Sequence, residues 1–336
     1  MTVSIIYQIE GGVLHEDSIN CEKGTWRAYG HSAVVWVLVN TFFPQFLEIG
    51  SFSTHLWKTG AMPILGVFLF CNGAQINVKQ AGVPLIKGVT LTAVKFAIGA
   101  GLGIFINSVL GPSGFLGITP LAIIAAVTNS NGGLYAALAG EFGDSTDVGA
   151  VSILSINDGP FFTMVALGMS GIAEIPFMML VGAVLPIVIG CVMGNLDEEL
   201  RAWLAPGAVI LIPFFAFPLG AALSLGQLLT AGLPGIVLGV ICTVLTGFGG
   251  YGAAKLIRSK YPQVGAAIGT SAGNSVATPA AVAAADASLA GAADSATVQI
   301  AAAIIVTAVL CPILVSWLDK VEKKNHPEVY AAKAGV

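Results

Sequence analysis

Long apolar runs alternate along this chain with short polar punctuation, and each run is apolar around most of its circumference rather than along one stripe. Segments near 31–47, 60–76, 85–110, 119–140, 148–171, 175–194, 205–224, 232–256, 262–285 and 296–318 have this character. A helix facing lipid satisfies its own backbone and presents apolar side chains in every direction, so the pattern predicts about ten transmembrane helices. The stretches Phe96 to Gly140 and Ala202 to Ala254 contain no Asp, Glu, Lys or Arg. Each is long enough for two crossings at ~20 residues per span.

Composition points the same way. Of 336 residues, 56% are hydrophobic and 10% charged, against about 25% charged in a soluble domain. Mean hydropathy is +0.87. The net charge of −4 matters less than where charge falls. With ten spans, Lys23, Arg27, Lys79, Lys87, Arg201, Lys255, Arg258, Lys260, Lys320, Lys323, Lys324 and Lys333 share one side, Lys58 takes the other, and Lys95 falls inside the third span. The positive-inside rule then puts both termini in the cytoplasm. Glu141, Asp144, Asp147, Asp197, Glu198 and Glu199 fall in the cytoplasmic loops of this scheme and read as solvated. Cys21, Cys71, Cys191, Cys242 and Cys311 are scattered singly, without metal-ligand spacing. The glycine-rich stretches match neither a phosphate loop nor a dinucleotide fingerprint. No cofactor and no nucleic-acid partner is expected; the bilayer is.

The two halves resemble each other. Gly60–Ala74 aligns without gaps on Gly207–Ala221, sharing Phe-x-Phe-x-x-Gly-Ala, and Gly82-Val83-Pro84 is echoed by Gly232-Leu233-Pro234. This predicts a polar segment over 1–30, a five-helix repeat over 31–171, a second repeat over 175–318 and a cytoplasmic tail over 319–336. An odd number of spans per repeat turns the second upside down, an architecture of secondary transporters.

Two corresponding spans, the fourth and the ninth, are broken by polar residues. One carries Thr128-Asn129-Ser130-Asn131-Gly132-Gly133; the other runs Thr270-Ser271-Ala272-Gly273-Asn274-Ser275-Val276-Ala277-Thr278-Pro279. Unwound backbone strands polar groups at several kcal/mol each in hydrocarbon, so it belongs around a protein-lined cavity. Close helix packing by small residues is the plainer alternative for either segment alone. The pairing favours a substrate site built from Asn129, Asn131, Gly132, Gly133, Asn274, Ser275 and Thr278, expected to meet near the bilayer midplane. In the fifth span Ser152, Ser155 and Asp158 line one face, with Asn157 beside them. A buried carboxylate is costly and suits a proton carrier; a permanent structural pair is the alternative. Lys95 can pair with Asp158, neutralise a substrate carboxylate, or snorkel to the interface.

These residues carry a resemblance. Thr128 to Tyr135, Gly159-Pro160-Phe161-Phe162-Thr163-Met164, Val181 to Pro186, Gly194-Asn195-Leu196-Asp197 and Ile212 to Phe217 are similar to signatures of the 2-keto-3-deoxygluconate permeases, over roughly residues 38–320. The resemblance implies a bacterial cytoplasmic-membrane symporter for that sugar-acid anion and protons. It also implies five-plus-five inverted repeats, with two crossing broken helices in a core and a panel-like second domain. Members carry Asp or Glu at the place of Asp158, which implies a proton role there; a homodimer is left open. The family's opening Ile-Pro-Gly-Gly runs straight into an apolar span, whereas here Ile9-Glu10-Gly11-Gly12 precedes a polar stretch from His15 to Arg27. Either the first span is tilted, or the start or frame differs. Sodium coupling on the same fold is the alternative mechanism. An intramembrane enzyme would need a metal cluster or a second buried Asp, and neither is found.

Overall fold

The computed structural model describes residues 35–79, 82–157, 159–221 and 225–331. The polar segment over 1–30 and Asp158 lie outside the described residues. The helices that matter are α1 (Ala61–Gln75), α2 (Val83–Leu110), α3 (Pro120–Thr128), α4 (Gly132–Phe142), α5 (Phe161–Met169), α6 (Phe177–Leu196), α7 (Ile212–Ala221), α8 (Leu225–Leu256), α9 (Thr278–Ala285) and α10 (Ala290–Asn325). The described residues are helical with no named strand. α2, α6, α8 and α10 are long and apolar enough to cross a membrane, and the bent pairs α3–α4 and Ser145–Asn157 with α5 raise the number to six. The ninth apolar segment is divided between Pro262–Ile268, Gly273–Ala277 and α9, and the seventh between Gly207–Ile210 and α7. α10 runs past residue 318 to Asn325 and keeps Asp319 and Glu322 buried.

The helices sort into two groups by what they pack against. α6 and α7 both lie on α1. A ring cluster of Trp36, Phe46, Trp57 and Phe217 closes one end of this first group. In the second group α8 packs along α10 and α2, α3 fills the angle between α2 and α10, and Pro262–Ile268 lies on α8, α10 and α4. The seam between the groups is made where Ser155–Asn157 and Gly273–Ala277 meet α1, and where Gly273–Ala277 meets α7. Across the first group, Phe68 packs edge-on against Phe215 at 5.2 Å, and these two residues occupy equivalent positions in the aligned halves.

Glycine sets how closely α1 and α6 approach. A Cβ on Gly190 would sit 2.1 Å from the Phe70 carbonyl oxygen, and one on Gly194 2.1 Å from that of Ala74. Here helix backbones touch, which only a residue without a side chain permits.

Polar contacts near the helix ends fall into two sets. One joins the Val78 N–H to Asn195 Oδ1 (3.1 Å), Lys79 to Glu198 (3.9 Å), Gln263 to the Phe142 carbonyl (3.2 Å) and Lys255 to Glu322 (2.8 Å). The other joins Lys58 to Glu48 (2.5 Å), the Glu174 N–H to Asp286 Oδ2 (2.7 Å) and Gln299 to the Gly117 carbonyl (2.8 Å).

One expectation about the loops is overturned. Glu141, Asp197, Glu198 and Glu199 are exposed as expected, but Asp147 is 2% exposed and Lys87 3%. Lys87 Nζ donates to Asp147 Oδ1 at 2.5 Å and to Thr146 Oγ1 at 2.8 Å, with half-buried Asp144 at 4.0 Å. The reason is local. Asp144 and Asp147 form a reciprocal capping box at the start of Ser145–Gly149, which folds that turn against α2 and hands its carboxylate to the lysine.

Candidate functional site

The first break begins where α3 ends. Thr128 donates its hydroxyl back to the Ile124 carbonyl at 2.7 Å and lies 3.2 Å from Thr163 Oγ1 on α5. Asn129 then turns extended and Asn131 restarts the helix, its Oδ1 accepting the Leu134 N–H at 3.0 Å as an N-cap. Asn157 clamps the gap: its Nδ2 donates to Ser130 Oγ at 3.1 Å, and its Oδ1 accepts the Ser130 N–H at 3.4 Å.

The second break follows Pro262–Ile268, whose backbone hands over to the short helical turn Gly273–Ala277 and then, through Pro279, to α9. The Ser271 N–H is held by Thr307 Oγ1 on α10 at 3.1 Å. The two breaks meet directly, the Asn131 N–H donating to Thr270 Oγ1 at 3.0 Å.

Four side-chain oxygens around this meeting point are buried without a partner inside the protein: Asn129 Oδ1, Ser271 Oγ, Ser275 Oγ and Thr278 Oγ1. Leaving such a group unpaired costs about 1–3 kcal/mol, so a cluster of them asks for a ligand or water. All four are neutral. Three are hydroxyls that donate or accept, a set suited to a carboxylate and to sugar hydroxyls.

Lys95, midway along α2, points inward and is fully buried. Its Nζ donates to the carbonyls of Ile268 and Thr270, each at 2.7 Å, and lies 3.5 Å from Thr246 Oγ1 on α8. Snorkelling to an interface is therefore excluded: the carbonyls freed by the second break draw the ammonium into the interior. Hydrogen bonds from a charged donor contribute about 1.5–3 kcal/mol each, offsetting part of its desolvation. Outside the long apolar helices, hydrogen bonds from the Ser288 side chain, the Glu174 N–H and the Ser288 N–H hold the Asp286 carboxyl below its ordinary range.

Residues 33–324 match the family described as 2-keto-3-deoxygluconate permease. The chain is 51% identical over 311 residues to 2-keto-3-deoxygluconate permease 1 of Salmonella typhimurium, covering 91% of this chain and 98% of that one. It is 40% identical over 292 residues to the 2-keto-3-deoxygluconate permease of Bacillus subtilis, covering 85% and 88%. It belongs to the 2-keto-3-deoxygluconate permease family. Membership and the long apolar helices together indicate a multi-pass membrane transporter rather than an enzyme.

In this family member the residues singled out from sequence occupy different situations. Asn129, Asn157, Asn274, Ser275, Thr278 and Lys95 are buried. Asn131 and Gly132 are half-buried and Gly133 is exposed. The Asn131 side chain already caps α4, and Asn157 serves as a clamp. Ser271, Ser130, Thr163 and Thr246 were not singled out as site residues. Ser271 and Ser130 sit within the two polar runs, so their signal was present. Thr246 lies in an apolar span one turn beyond Cys242, and an isolated threonine there carries no signal.

Proposed function

We propose that this protein imports 2-keto-3-deoxygluconate with a proton across a bacterial cytoplasmic membrane, binding it where the two breaks meet. The observation that carries the reading is the cluster of unpartnered Asn129, Ser271, Ser275 and Thr278 oxygens beside the Asn131–Thr270 contact. Serine and threonine hydroxyls donate to the substrate carboxylate, with the first-turn N–H groups of Gly132 and Gly133, which lie outside the intrahelical ladder, adding to them. Asn129 Oδ1 accepts from a sugar hydroxyl. Asn274, buried in the second break, completes the shell. The names of the relatives supply the substrate.

Asp158 carries the proton on this reading. It follows in sequence Asn157, which is bonded to the first break. An anion entering with one proton is neutral and avoids work of ~2.3 kcal/mol per charge per 100 mV against an inside-negative potential. The end contacts are consistent with about ten spans, inverted repeats and both termini inside. Each of the two contact sets joins loops that the positive-inside scheme puts on one face.

The test is uptake of labelled 2-keto-3-deoxygluconate into proteoliposomes under an inward pH gradient without sodium. Accumulation that a protonophore collapses is expected, as is its loss in inserted Asp158→Asn, which keeps volume but exchanges no proton. Accumulation indifferent to the gradient, or wild-type accumulation in Asp158→Asn, would remove the proton role.

A further inference from the structure

We infer that Lys95 is a tethered cation: its ammonium fills a small monovalent-cation site made by the second break, fixing that break without an ion from solution. This rests on the reading that the paired breaks form the transport site. Ile268 and Thr270 stand at the carbonyl end of Pro262–Ile268, the partially negative end of a helical segment. Carbonyls released by unwinding need donors or a cation, and in broken-helix transporters they commonly hold one. Here the ammonium meets both at 2.7 Å. Thr246 Oγ1 adds a third oxygen 3.5 Å from the ammonium, its hydroxyl 2.7 Å from the Cys242 carbonyl and 3.2 Å from that of Ile268.

Among the described residues, the groups around the ammonium are neutral oxygens rather than carboxylates. Among the described residues no carboxylate lies within ion-pair distance of Lys95. Among the described residues, the titratable groups facing it are two thiols, Cys242 on α8 with Sγ at 4.0 Å and Cys311 on α10, whose Sγ contacts the Ala266 and Ala267 carbonyls. The charge is also linked to the other break. Thr270 accepts the ammonium through its carbonyl and the Asn131 N–H through its hydroxyl, so one residue joins the cation to the start of α4. Lys95 is thus a positioning residue that holds the substrate shell through Thr270.

The experiment compares full-length wild type with Lys95→Ala in choline-based buffer and with added sodium or methylammonium. Uptake of labelled 2-keto-3-deoxygluconate by the variant should fall at least about tenfold, as expected for losing charge-assisted hydrogen bonds, and return in part with either ion. Its thermal unfolding should shift upward with the same ions, while wild type responds to neither. A variant that inserts but shows no ion response in uptake or unfolding overturns the assignment. So does a wild type whose uptake or unfolding temperature depends on sodium, and that arm holds even where the variant fails to insert. The unfolding measurement needs no substrate. A wild type that does not transport 2-keto-3-deoxygluconate would therefore retire the functional reading while leaving this test intact.

Discussion

α2 buries two lysines two turns apart, about 12 Å along the axis, and satisfies them by different chemistry. Lys87 has a carboxylate partner in Asp147; Lys95 has two main-chain carbonyls. The distinction predicts different costs. Both members of the Lys87–Asp147 pair have side chains under 5% exposed, so removing one strands a buried charge at about 3–5 kcal/mol. Asp147→Ala should therefore lower thermal stability sharply in detergent, and adding Lys87→Met should recover much of the loss. Equal instability of the single and double variants would show that the pair does not act as a pair. Sequence placed Lys87 and Asp147 at the membrane boundary, because a charged residue beside a polar loop reads as solvated. Nothing local to either residue revealed a partner sixty positions away. Lys95 was legible as a charge inside a span, but not in its partners, since main-chain carbonyls leave no mark on a sequence.

Glycines on one helix face different surroundings in this protein. On α6, Gly190 meets the backbone of α1, whereas Gly182 has nothing within 4 Å of a would-be Cβ. Gly190→Val should force the helices apart, since the obstacle is a carbonyl oxygen rather than a side chain that can turn away. Overpacking of this kind costs ~1–3 kcal/mol and sometimes more. Gly182→Ala should be neutral or slightly stabilising by helix propensity. Unfolding of the two variants followed side by side checks the contrast, and equal stability would contradict the close approach. At this scale the sequence was most readable: the polar runs at 128–133 and 270–279 do interrupt helical structure, and they touch. Pro120, Asn131 and Pro279 mark starts that capping chemistry makes recognisable. The seventh segment was harder. Gly207–Ile210 and α7, parted only at Leu211, look from sequence like one continuous apolar span.

For the whole molecule, sidedness is the property on which the functional reading leans. Single cysteines introduced at Glu198 and Glu174 in a background lacking the native thiols should react with a membrane-impermeant reagent from opposite faces, Glu198 from the cytoplasmic side. Both positions are exposed or at loop ends and belong to different contact sets. Labelling from the same face would break the ten-span scheme. The half-to-half likeness at Gly60 and Gly207 was visible in sequence, and the rings at the aligned positions Phe68 and Phe215 meet. The family resemblance implied a core and a panel-like second domain, but which helix packs in which group could not be read from the residues, because that depends on pairings between distant segments.

That division has a mechanical consequence. Lys58–Glu48 and Lys79–Glu198 lie wholly within the group built on α1, and Lys87–Asp147, Lys255–Glu322 and Lys323–Asp319 wholly within the other. Among the described residues, Leu69 lies at the seam, 3.0 Å from where a Cβ on Gly159 would lie. None of these charge pairs spans the seam, so a displacement of one group against the other would break none of them.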